Sequence, residues 1–209
     1  GFRNPDGIGL TKSGVLTVPQ SEGEWVPTSQ VCEIKPGSHY GYKGPKDGQV
    51  PALPLVYLPR GIDNSSSEQV EITSDRWGPF LGNRIHLSFG AGLAYLLLRD
   101  EVDGQPQGAV VPIPGDYLSG IHRGRFNPSD GQLYVVGQAG WGTYTSLDGC
   151  FQRLRYTGDP VQVPRSIHAV ENGVLLTFNQ PIDPTALAQP GSCFAQVWNY
   201  RYSPNYGSL

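Results

Sequence analysis

Turn residues dominate this chain. Its 209 residues include 28 glycines and 19 prolines, more than a fifth of the total, where about 12% is usual for the pair. Chain breaks at that density leave no room for long helices and divide the sequence into strand-length apolar runs. Disorder can produce the same excess, but 38% hydrophobic and 11% aromatic residues against only 16% charged ones supply enough apolar surface for a core. The expected class is therefore all-β.

The runs fall into three similar groups. The first covers about residues 1–59: Gly7–Leu10, a turn at Lys12–Gly14, Val15–Val18, a loop at Ser21–Gly23, then Trp25 to Ile34. The second covers about 70–114, with runs starting at Val70, Arg84 and Leu93, a turn at Asp103-Gly104, and Ala109–Ile113. The third covers about 117–158, with Gly120–Phe126, a turn at Ser129–Gly131, Leu133–Val136 and Phe151–Tyr156. A unit of three or four strands repeating every roughly 40 to 55 residues is the pattern of propeller blades. A single β-sandwich with a strand about every ten residues fits the composition as well. About three blades cannot close a ring that needs about four to eight, so residues 1–60 are expected to contact further β-structure, from the same precursor or another chain.

Past Gly158 the texture changes. The order of Val174–Phe178, Pro181–Ala188 and Cys193–Trp198 reads as strand, short helical turn, strand, like the start of an immunoglobulin-like module. Residues 161–209 are too few for a complete one of about 100 residues. The tail from Tyr200 reads as an extended segment packed on something else.

Several function classes drop out. A net charge of −3 and an isoelectric point near 5.8, with scattered basic residues, disfavour a nucleic-acid partner. No run approaches the roughly 18 apolar residues of a membrane span. Cys32, Cys150 and Cys193 form neither CxxC nor CxxCH, so no zinc knuckle or haem attachment is encoded; one disulfide plus an odd thiol remains open. Few lysines, no methionine and abundant Tyr, Gly and Asn lean toward a periplasmic or secreted protein. The chain shows no signal peptide, and its Gly1 start implies a removed presequence or upstream domain.

Polar candidates concentrate at strand beginnings. Arg3 and Asn4 precede the Pro5-Asp6-Gly7 turn, where a propeller strand points into the central channel; the bland reading is an Asx turn and a neighbouring ion pair. His122, Arg123 and Arg125 form a cationic strand tip suited to an anionic or sugar ligand, or a polar surface strand. His86 alternates with Ile85 and Leu87 and reads as a structural histidine; His39 and His168 have no partner at metal-ligand spacing. The acids of Asp100–Gly104 lack the alternation of a calcium loop and read as a hairpin turn. Trp25, Trp77 and Trp141 sit in loops, suited to wedging between blades or stacking on sugars. Asn64-Ser-Ser is a glycosylation sequon by pattern only.

Four stretches together resemble one family. GFRNPDGI at residues 1–8, WGPF at 77–80, RGRFNPSDGQLYV at 123–135 and RLRYTG at 153–158 are similar to the later blades of soluble quinoprotein glucose/sorbosone dehydrogenase-like propellers, above all the large bacterial multidomain ones. The resemblance covers about residues 1–160. It implies oxidation of a sugar or alcohol with pyrroloquinoline quinone (PQQ) and calcium, and, as in the multidomain forms, a cytochrome c module as partner. It assigns Arg3, Asn4, Arg123 and Arg125 to the cofactor, which suits a planar tricarboxylate, since guanidinium forks grip carboxylates bidentately. It also implies two departures: Ala91 stands where the family carries a cofactor-contacting lysine, and the catalytic-base histidine belongs to an earlier blade that this chain lacks. Beside the dehydrogenase reading stand a non-catalytic propeller that binds carbohydrate or protein, and a structural subunit completed by another chain.

Overall fold

A computed structural model describes residues 1–140, 143 and 145–208. Thirteen strands are assigned among them: β1 Gly9–Leu10, β2 Leu16–Gln20, β3 Ser29–Glu33, β4 Val56–Leu58, β5 Ser66–Glu71, β6 Arg84–Ser88, β7 Leu93–Val102, β8 Gln105–Ile113, β9 Ile121–Phe126, β10 Leu133–Gln138, β11 Gly149–Leu154, β12 Pro164–Val170 and β13 Gly173–Phe178. They build antiparallel meanders in sequence order: β1–β4, β5–β8, β9–β11 and the hairpin β12–β13. Among the described residues, helical structure is limited to a 3-10 turn over Asp75–Phe80 and α1 over Pro184–Leu187. The architecture is all-β, with several antiparallel sheets arranged as in a partial propeller.

The middle sheet explains why a single sandwich does not form. In a sandwich each sheet leaves one face to water and its strands alternate in polarity. Here β6 is buried at every position, and Ala94 to Leu98 of β7 are all buried. Alternate β7 side chains enter different cores: Ala94, Leu96 and Leu98 pack with Ile121, Leu133 and Val135 of the third sheet, whereas Leu97 packs with Val31, Val56 and Leu58 of the first. The run of consecutive apolar residues is thus the signature of a sheet covered on both faces. The opening strands sit side by side, β1 against β5 and β5 against β9.

Turn chemistry sets the registers. Asp103 and Gly104 both have positive φ, 50° and 75°, and join β7 to β8 with Val102 opposite Gln105. That is the two-residue hairpin turn that Asp-Gly favours. The 3-10 turn wedges Trp77 against Phe126 of the third sheet, ring centroids 5.4 Å apart and nearly perpendicular, and sets Phe80 edge-on to Tyr156. Trp77 is therefore an inter-sheet wedge; Trp141 lies outside the described residues.

Two local expectations change. The second sheet begins at Ser66 rather than Val70. Residues 193–198 are assigned to no strand and pair with none among the described residues; Phe194, Val197 and Trp198 are exposed. β12 packs across β7, where Asp100 accepts from the Ala169 amide (3.1 Å) and pairs with His168 Nδ1 (3.0 Å). No helix among the described residues is long and apolar enough to cross a membrane.

Candidate functional site

Arg3 is fixed from its backbone outward. Its amide donates to Gln20 Oε1 (3.2 Å) and its carbonyl accepts from the Ser21 amide (3.1 Å). Gln20 is fully buried and itself anchored by donation to the Tyr40 carbonyl (2.8 Å). Asn4 then takes a positive φ of 41°, a conformation that asparagine tolerates better than most residues. The Arg3 side chain lies across Gly23, where a Cβ would stand 2.0 Å from Nε; only glycine leaves that space.

Arg3 and Asn4 line a cleft of about 960 Å3 together with Glu22, Arg60, Ala91 and Tyr206. Arg60 is neutralised there by Glu22, with Nε 2.7 Å from Oε2. Arg3 has no carboxylate within ion-pair distance among the described residues. Among the described residues, the cleft therefore presents the Arg3 guanidinium uncompensated beside an amide.

The cleft wall at residues 62–65 is held from behind by Asp63, the component that sequence reasoning missed. Its carboxylate is buried and accepts from the hydroxyls of Ser66 (2.7 Å) and Ser88, from the Asn64 amide (2.8 Å), and from His86 Nε2 (2.7 Å). Gln69 Nε2 donates to His86 Nδ1 at 3.1 Å, which leaves Nε2 as the donor to Asp63. Ser88 Oγ in turn accepts from the Ala91 amide (3.0 Å), so Ala91 and the Asp63 loop are braced together. His86 is thus the structural histidine its alternation implied.

A second cluster ties the segment leading into β1 to β5 and β9, the opening strands of the second and third sheets. Asp6 Oδ2 accepts from Ser67 Oγ of β5 (2.9 Å) and meets His122 Nδ1 of β9 (2.7 Å), and Oδ1 accepts from Arg123 Nη2 (3.2 Å). Beside it, Glu68 accepts from the Gly124 amide (2.9 Å) and from Arg125 Nη1 (2.7 Å). Burial raises the Asp6 carboxyl, but the bonds from His122 and Ser67 and the Arg123 charge hold it below its ordinary value. Arg123 and Arg125 are therefore together, but they do not line the Arg3 cleft. Residues opposite one another in register share a face, so these arginines stand with Val136 and Phe151, and with Tyr134 and Arg153, on the open face of the third sheet.

No protein-family model matches the sequence, and no curated protein matches it. Solved structures do. A glucose dehydrogenase is 19% identical with a TM-score of 0.54, over 75% of this chain and 46% of that one. The PQQ-bound form of an aldose sugar dehydrogenase from Streptomyces coelicolor is 17% identical, TM-score 0.51, over 74% and 44%. The apo form of the soluble aldose sugar dehydrogenase from Escherichia coli is 19% identical, TM-score 0.50, over 75% and 46%. What is shared is the fold. The chain spans less than half the length of these structures.

The other expected residues have local roles. His39 Nε2 meets the Gly44 carbonyl (2.9 Å); Trp25 packs on Tyr202; Asp100 is engaged with β12 as described above. No group of three or more His, Cys, Asp or Glu side chains able to hold a metal occurs among the described residues. All three cysteines are unpaired. Burial pushes the Cys32 thiol up to about 12 and raises Cys150, while Cys193 is exposed. Since the thiolate is the reactive species, native protein treated with an alkylating reagent at pH 8 should label first at Cys193 and at Cys32 only after unfolding, as read by peptide mass mapping. Fast native labelling of Cys32 would contradict the described packing of β3.

Proposed function

We propose that these sheets are part of a quinoprotein sugar or alcohol dehydrogenase-type propeller, in which Arg3 and Asn4 hold PQQ. The observation that carries this reading is the uncompensated Arg3 guanidinium beside Asn4, in a cleft whose volume lies within the range of about 300–1,000 Å3 common for ligand sites. The shared fold with a PQQ-bound aldose sugar dehydrogenase supports it. The residues fit the group: Arg3 would take a carboxylate bidentately and Asn4 would offer an amide donor. Arg123 and Arg125, which do not line the Arg3 cleft, would have to reach its carboxylates from outside it. Arg125 is held by Glu68 through Nη1 alone and its side chain is 75% exposed, which leaves much of its fork open to a ligand. When bound, the quinone would supply the two-electron acceptor for a hydride. This chain's residues would bind and orient it, and the base would come from an earlier blade. Calcium, further blades, a cytochrome c module and a sugar substrate belong to the same reading, as does a periplasmic or secreted location.

A second reading is favoured by Ala91, which lines the same cleft where the resembled family carries a lysine. Without that ammonium, the site suits a non-catalytic propeller that binds carbohydrate or protein, or a structural subunit. The immunoglobulin-like assignment of residues 161–209 is likewise a proposal, supported by the hairpin β12–β13 followed by α1.

Titration with PQQ and calcium, followed by quinone absorbance, separates the readings. Wild-type protein should bind, and Arg3→Ala should weaken binding about tenfold or more, the worth of one charge-assisted fork. Wild-type protein that binds a sugar but no PQQ would replace the first reading with the second.

A further inference from the structure

The last described residues are not a loose end. After α1 the chain returns to the first sheet, and residues 200–208 form a strap across its loops. The Trp25 amide donates to the Ser203 carbonyl (3.0 Å), the Gly207 amide to Gly23 (3.1 Å) and the Ser208 amide to Pro27 (2.8 Å). Tyr202 Oη donates to the Gly41 carbonyl (2.8 Å), and its ring packs on Trp25 with centroids 4.8 Å apart. Gly207 has φ of 75°, and a Cβ there would fall 1.8 Å from Glu22 Oε1. Glycine at 207 suits both the positive φ and this close approach.

The strap delivers Tyr206 onto Arg3. The guanidinium carbon stands 4.9 Å from the Tyr206 ring centroid, and Nη2 lies 3.4 Å from the hydroxyl. Gly23 backs Arg3 on another side. An arginine steadied by an aromatic ring, rather than by a carboxylate, is oriented without being neutralised. Its charge stays available to a ligand. Arg60, by contrast, is spent on Glu22 in the same cleft.

We propose that the C-terminal strap forms a wall of this cleft and that Tyr206 is a positioning residue, holding the Arg3 fork for a carboxylate-bearing ligand. The proposal deepens the reading of the cleft as the PQQ site, but its test does not need the quinone. Phenylglyoxal modification of Arg3, read by peptide mass mapping, reports directly on how the fork is held, and citrate serves as a carboxylate probe without redox chemistry.

Arg3 should be modified about fivefold or more faster in Tyr206→Ala than in wild-type protein, matching the loss of one partly exposed cation–π contact. Tyr206→Phe should stay near wild type, because it keeps the ring and loses only a long hydrogen bond. Citrate should protect Arg3 in wild type and in Tyr206→Phe and protect it several-fold less in Tyr206→Ala. If the alanine variant does not fold, Tyr206→Leu keeps apolar bulk without the π-face and should behave as alanine was expected to. Equal Arg3 reactivity and equal citrate protection in wild type and the ring-less variants would overturn the proposal. Citrate protection that follows the ring, in a protein that binds no PQQ, would support the strap's role and sink only the quinone reading.

Discussion

Replacing Asp63 with alanine is expected to destabilise the protein by about 3–5 kcal/mol, because several buried donors lose their common acceptor at once. Four donors converge on that carboxylate, and His86, Ser66 and Ser88 are themselves fully buried. Alanine would strand their polar hydrogens where water does not reach, each orphan costing about 1–3 kcal/mol. Asp63→Asn keeps an acceptor oxygen but turns an NH2 toward groups that donate, so an intermediate loss is expected. Urea denaturation decides it: the midpoint should fall in the order wild type, asparagine, alanine, with the slope unchanged. A loss below about 1 kcal/mol for alanine would mean that the loop is not held in the described way. The same variant should loosen the cleft wall at residues 62–65, because Ser88 links Asp63 to the Ala91 amide.

Some of this architecture is legible in the sequence and some is not, for definite reasons. The run from Ala94 to Leu98 announces a strand covered on both faces, because consecutive apolar residues leave no side for water. Asp103-Gly104 announces its hairpin because few other pairs adopt two positive φ values at low cost. The start of β5 is hidden: Ser66, Ser67, Glu68 and Gln69 look like a polar loop, yet all four are buried. Their polarity is matched by Asp63 just upstream and by Asp6, Arg125 and His86, the last three being partners from other segments that no local window contains. Residues 193–198 mislead in the opposite direction, since a run apolar at all but one position reads as a strand, yet no strand is assigned there and Phe194, Val197 and Trp198 are exposed. Arg3 and Asn4 stand out as polar residues before a turn. Tyr206, some two hundred positions away, becomes their neighbour only through the path of the strap.

Asp6 shows the same limit and carries the other large expected effect. In the sequence it is the middle of a Pro-Asp-Gly turn; in the fold it bonds to β5 and twice to β9, from the segment that leads into β1. Asp6→Asn is expected to cost about 2 kcal/mol, in the range for hydrogen bonds to a charged group, reduced by partial exposure. The pH dependence gives the sharper test. The folded carboxyl titrates below its ordinary 3.8 because the bonds from His122 and Ser67 and the Arg123 charge outweigh the effect of burial. The folded state therefore binds this proton less readily than the unfolded chain does, and the stabilisation is fully present above about pH 4 and fades as pH falls through the folded value. Glu33, Asp100, Asp130 and Asp183 are lowered as well, so wild-type stability alone mixes five groups. The difference in unfolding free energy between wild type and Asp6→Asn isolates one. It should shrink as pH falls below 4. A difference that stays constant down to pH 2 would show that this carboxylate does not tie the segment leading into β1 to β5 and β9 through its charge.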